Sequence, residues 1–102
     1  MFIQTESTPN PATLKFLPGL TVLDEGSAHF DTKEEAAISP LAERLFEVEG
    51  VTGVFLGSDF ITIHKSDERE WFLIKPSILG LIMEHFTAGR PVMRDGGSTE
   101  ES

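Results

Sequence analysis

The chain has 102 residues, 39% hydrophobic and 25% charged, with eight Lys and Arg against seventeen Asp and Glu for a net charge of −9. That length makes one domain, able to bury a core without disulfide or metal staples. The acidic balance argues against binding nucleic acid, whose main affinity term needs a basic surface, and against docking on an anionic membrane. With no Cys in the chain, disulfides, thiol redox chemistry and thiolate-ligated clusters are excluded within it.

No apolar run approaches the roughly twenty residues that cross a bilayer. Met1-Phe2-Ile3 passes straight into Gln4-Thr5-Glu6, without the charged and apolar regions of a leader. The chain therefore reads as soluble and cytoplasmic, of bacterial type.

Phe2–Glu6 and Thr13–Leu17 read as two strands. Ser7-Thr8-Pro9-Asn10-Pro11 joins them, and its prolines continue neither a helix nor a central strand. Pro18-Gly19 closes the pair, so a hairpin with a stiff connection is expected. Residues 27–31 suit a short edge strand. Thr32 with Glu35 has capping-box spacing, which predicts a helical turn over 33–37. Ser39-Pro40 is an N-cap followed by a first-turn proline. Leu41, Leu45 and Val48 then recur at helical spacing until Gly50.

Val51–Leu56 and Phe60–Lys65 flank a turn of Gly57-Ser58-Asp59 and predict a second hairpin. Asp67 is a candidate cap for the last helix. Trp71, Ile74, Ile78, Leu81, Ile82, His85 and Phe86 share one helix face, and Pro76 interrupts them. The reading adopted is a single turn over 70–74 and then a helix from Pro76, ended by Ala88-Gly89-Arg90-Pro91. The predicted fold is α+β and two-layer: a mostly antiparallel sheet with two main helices packed on one face. Residues 1–93 form the domain, and 94–102, acidic and rich in Gly and Ser, read as a flexible tail or the start of a linker.

His29, His64 and His85 lie far apart in the sequence and show no ligand spacing, so no metal ligand is expected among them. Asp24-Glu25, Glu34-Glu35 and Glu100-Glu101 are adjacent in the chain, whereas paired acid–base carboxylates face each other across a cleft. There is no Gly-x-Ser-x-Gly elbow or phosphate loop, so no catalytic residue is assigned and the chain is not expected to be an enzyme. Thr8-Pro9-Asn10-Pro11 has two readings, which are compatible: hairpin stiffening, or a rigid exposed loop that presents Thr8 and Asn10 to a partner.

Four blocks carry a resemblance. Gln4–Pro11 with Leu14-Lys15-Phe16 looks like the opening of the Nfu N-terminal domain. Ser39-Pro40-Leu41-Ala42 with Leu45-Phe46, Gly50-Val51 and Val54 is similar to its second block. Phe60–Lys65 resembles the third, and Trp71 with Lys75-Pro76 and Ile78 the fourth. The match runs in order from about residue 2 to 88.

The resemblance implies a non-catalytic accessory domain of an iron–sulfur cluster scaffold or carrier, contacting assembly or recipient proteins. Its candidate contacts are Thr8, Pro9, Asn10, Pro11 and Lys15. It also implies that the cluster sits on a separate C-terminal NifU-like domain with a Cys-x-x-Cys motif, so no cofactor is expected in this chain. The chain is then either part of a longer protein or a stand-alone version of the first domain, monomeric when isolated. The alternative is a small metal-binding protein or enzyme that uses His and carboxylate groups.

Overall fold

Punctuated by prolines, glycines and short charged turns, the chain forms five strands and two helices in the computed structural model, which describes residues 2–93. The expected tail at 94–102 lies outside the described residues. The strands are β1 (Gln4–Ser7), β2 (Thr13–Leu17), β3 (Ala28–Phe30), β4 (Val51–Leu56) and β5 (Ile61–Lys65), with helices α1 (Pro40–Leu45) and α2 (Trp71–Thr87). Strand order is β1-β2-β5-β4-β3, and every neighbouring pair is antiparallel. Both expected hairpins are present, and β3 is the predicted edge strand.

The two-residue period of a strand decides what is buried. Phe16 pairs with Ile61, and Ile61 with Leu56. Two residues along, Leu14, Ile63, Val54 and Phe30 line up across four strands. These residues share the inner face, and Phe16, Ile61, Leu56 and Ile63 are fully buried. Leu41 and Leu45 of α1, and Ile74, Ile78 and Ile82 of α2, complete one core. Each fully buried side chain of this size contributes about 1.5–3 kcal/mol. The intervening residues line the opposite face, where Lys15, Thr62, Phe55 and His29 fall in one row.

Ser39 caps α1 as expected: its Oγ accepts the Ala42 N–H at 3.1 Å. The same hydroxyl donates to the Val92 carbonyl at 2.6 Å, tying the exit of α2 to the start of α1. Three expectations need correcting. First, α1 ends at Leu45, not near Gly50. Glu47 and Val48 donate to Arg44 and Leu45, i→i+3 bonds that tighten the chain into turns. Gly50, at φ 104°, then turns it back, and its carbonyl accepts from the Ser66 N–H at 2.7 Å. Second, the turn after Thr32 is a 3₁₀ helix over Glu35–Ile38. Thr32 Oγ1 accepts the Glu35 N–H, but the Glu35 carboxylate takes the Asp31 N–H, one residue earlier than in a capping box.

Third, α2 is continuous, with Pro76 inside it and Glu70, not Asp67, at its N-cap. An interior proline costs about 3 kcal/mol. The carbonyl that loses its donor belongs to Phe72, an exposed residue of the first turn. The buried stripe Ile74, Ile78, Ile82 and His85 runs unbroken across Pro76, and its packing outweighs the cost. At the far end, Gly89 at φ 72° supports a Schellman stop: Gly89 donates to Phe86 and Arg90 to His85.

Candidate partner-binding surface

The connection between β1 and β2 is wired internally. Thr8 Oγ1 lies 2.8 Å from the Asn10 carbonyl and 3.0 Å from that of Thr13, and it accepts the Asn10 N–H at 3.2 Å. Asn10 Oδ1 accepts the Ala12 N–H at 2.9 Å, an Asx turn, and the Thr13 N–H reaches the Asn10 carbonyl at 2.9 Å. Two further contacts hold the loop to the domain. The Trp71 indole N–H donates to the Pro11 carbonyl at 2.9 Å, and the Lys65 N–H donates to the Ala12 carbonyl at 2.8 Å. Trp71 is itself seated edge-on against buried Phe16, ring centroids 6.5 Å apart. Thus the first residue of α2 pins the loop, while Pro9, Asn10 and Pro11 remain exposed.

Four of the five candidate residues are therefore together. Lys15 is apart from them, on the outer sheet face. Its ammonium lies 4.6 Å from the Phe60 ring centroid and 3.9 Å from the Glu6 carboxylate. A shallow depression of about 310 Å³ opens on that face between His29, Gly53, Phe55, Phe60, Thr62 and His64. Phe55 and Phe60 stack with centroids 5.8 Å apart, and Gly53 supplies no side chain to fill the floor. Strand alternation could have revealed this face, because Lys15, Phe55, Thr62 and His64 each sit one residue out of step with the core positions.

His29 and His64 line that depression with different polar partners, and His85 lies apart from both. His29 Nε2 lies 3.1 Å from Asp31, and His64 Nδ1 is 2.7 Å from the Thr13 hydroxyl. His85 is fully buried in α2, with Nε2 2.9 Å from the Pro91 carbonyl and Nδ1 unpartnered among the described residues. Burial pushes its pKa below the ordinary value; the Pro91 carbonyl opposes this, Arg44 and Arg90 add to it, and Glu84 opposes it. Beside it, the Arg44 guanidinium holds the Glu84 carboxyl below its usual value, through a 2.6 Å ion pair. Among the described residues, no group of three His, Asp or Glu is placed to hold a metal ion, and no helix is long and apolar enough to cross a membrane.

A second surface was missed in the sequence. Phe72, Leu73 and Met83 of α2 are 73%, 63% and 41% exposed. The signal was available: α2 has only Lys75 and Glu84 as charged residues besides its single His, too few for a helix with a wet side.

The family model described as scaffold protein Nfu/NifU N terminal matches residues 3–89. An iron–sulfur cluster scaffold homolog, NFU1, mitochondrial, of Drosophila sechellia is 55% identical over 96 residues, covering 93% of this chain and 34% of the relative. NifU-like protein 5, mitochondrial, of Arabidopsis thaliana is 46% identical, covering 97% of this chain and 36% of the relative. The solution structure of a NifU-like protein from Saccharomyces cerevisiae superposes with a TM-score of 0.79 at 32% identity, covering 90% of this chain and 83% of that one. The chain thus spans about a third of the length of these curated relatives. Their names overturn the expected bacterial-type cytoplasmic location, since both are called mitochondrial. The first residues of a chain that matches only a third of its relatives carry no information about address. On the family match across residues 3–89, with relatives at about half identity, this chain belongs to the N-terminal domain family of the Nfu/NifU scaffold proteins.

Proposed function

We propose that the chain is a non-catalytic domain of a mitochondrial iron–sulfur cluster scaffold or carrier, and that it contacts assembly or recipient proteins through the Thr8–Pro11 loop. The cluster is cargo, held by thiolates elsewhere in such a protein, because this chain has no Cys. The observation that carries the reading is the loop's construction. Side-chain and indole hydrogen bonds fix its shape, while Pro9, Asn10 and Pro11 face solvent. A loop ordered before binding loses less entropy on association. Lys15 lies on the other face of the sheet and belongs to this contact only if a partner wraps round the sheet.

Affinity capture from a mitochondrial extract, read by mass spectrometry, tests the reading. The parent should retain identified iron–sulfur assembly or recipient proteins, and a Pro9→Ala/Pro11→Ala variant should retain several-fold less. Equal capture by a folded variant would count against the loop.

A further inference from the structure

The outward side of α2 is built for burial. At about 100° per residue, Leu79, Phe72, Met83, Pro76, Thr87, Gly80 and Leu73 follow one another round an arc of about 120°, with Thr87, at the last turn, its one polar side chain. No charged residue falls within that arc; Lys75 and Glu84 mark its two borders. Phe72 is 73% and Leu73 63% exposed, and Pro76 and Gly80 are also open to solvent. A surface helix ordinarily carries its charges there, and contiguous exposed apolar area marks a contact site.

Size and charge select the occupant. The 17-residue helix gives a strip about 25 Å long and about 10 Å wide, roughly 250 Å² in projection. A stable dimer buries about 800 Å² on each partner, so a second copy is poorly served. Two copies would also each bring a charge of −9. The strip does match one helix lying along it at an interaxial distance of about 8–10 Å. The negative field of the chain favours a positively charged partner and disfavours an anionic lipid surface.

We infer that the outward face of α2 is a docking strip for an amphipathic helix of a partner protein, apolar on one side and rimmed with Lys or Arg. The inference rests on the partner-contacting role proposed above, but it uses a different surface from the loop.

The probe is a synthetic amphipathic peptide of about 18 residues, Leu on one face and Lys on the other, long enough to form a helix. It is titrated into the ¹⁵N-labelled chain beside a scrambled isomer and a version with Glu in place of Lys. Amide shifts should concentrate at Phe72, Leu73, Leu79, Gly80 and Met83, and binding should weaken at high salt. Phe72→Ser and Met83→Ser should each bind about tenfold more weakly, while melting like the parent. Shifts centred elsewhere, or equal binding of the scrambled or acidic peptide, would overturn the inference. So would a free chain that sediments as a dimer until Phe72→Ser makes it a monomer, or one that floats with phosphatidylcholine vesicles until the same change releases it. Asn10→Ala serves as the separating control. It should bind the peptide as the parent does, so a failure of the loop proposal leaves this result standing, and a failure here leaves the loop proposal standing.

Discussion

Trp71→Phe isolates the bond that ties the Thr8–Pro11 loop to α2. The substitution keeps a six-membered ring edge-on against Phe16 and removes the indole N–H that lies 2.9 Å from the Pro11 carbonyl. A neutral hydrogen bond of this kind contributes about 0.5–1.5 kcal/mol net. The Pro11 carbonyl is exposed, so water replaces part of the lost bond and the lower half of that range, about 0.5–1 kcal/mol, is expected. For a domain of this size, 1 kcal/mol moves the Tm by about 4–8 °C, so a fall of about 2–8 °C follows. The second readout is local. Amides of Thr8, Asn10 and Ala12 should lose order on the nanosecond scale, dropping from S² of about 0.85 toward about 0.6, while β4 and β5 stay unchanged. Asn10→Ala attacks the same loop by removing the acceptor of the Ala12 N–H. The two changes share one loop, so together they should depart from additivity by about 0.5 kcal/mol or more. If Trp71→Phe left the loop amides as ordered as in the parent, the pinning argument would be wrong, whatever happened to the Tm.

Ile61→Asp should unfold the domain in urea far sooner than Asp24→Ala does. Ile61 is fully buried between Phe16 and Leu56, where an unpaired carboxylate costs several kcal/mol, whereas Asp24 is exposed and its removal should stay within about 0.5 kcal/mol. Ser39→Ala loses both the α1 cap and the bond to Val92, so a cost of about 1–3 kcal/mol is expected, with faster amide exchange at Ala42; a change below about 0.5 kcal/mol would refute the double role. His85 makes stability depend on pH. Its folded pKa lies below the ordinary 6.5, so the unfolded chain binds more protons in the window beneath that value. Stability is full above about 6.5 and falls as pH drops through the window toward the folded pKa; His85→Gln should flatten that slope in a series of urea midpoints.

Much of the fold was legible because hydrophobic period and punctuation agreed. The Thr13–Leu17 and Val51–Leu56 strands and the Ser39 cap occur where alternation and turn residues place them. The failures share a cause: local propensity was trusted where tertiary packing decided. Pro76 looked like a helix start, yet the stripe from Ile74 to His85 holds one helix through it. Val48 continued a helical pattern, but the chain had to turn early for Gly50 to meet Ser66. Of the candidate site, the loop was legible as an exposed, stiffened segment, because two prolines around an Asn have few other uses. Its anchor was not, since nothing in the sequence couples Trp71 to Pro11 across sixty residues. Lys15 belongs with the loop to the first block of the resemblance, but strand alternation sends it to the outer sheet face. The outward arc of α2 was not legible as a surface, because the helix is apolar on both sides and only its packing on the sheet decides which side is exposed.

The central claim is that this domain meets its partners through the Thr8–Pro11 loop. The most direct measurement is an NMR titration of the ¹⁵N-labelled chain with a purified iron–sulfur assembly or recipient protein recovered in the capture experiment. The account predicts amide shifts concentrated from Thr8 to Thr13 and at the Trp71 indole N–H, whose bond to Pro11 would sense any change in the loop. Saturable binding that leaves those signals in place, with shifts gathered instead on the outer sheet face around Phe55 and Phe60, would contradict it.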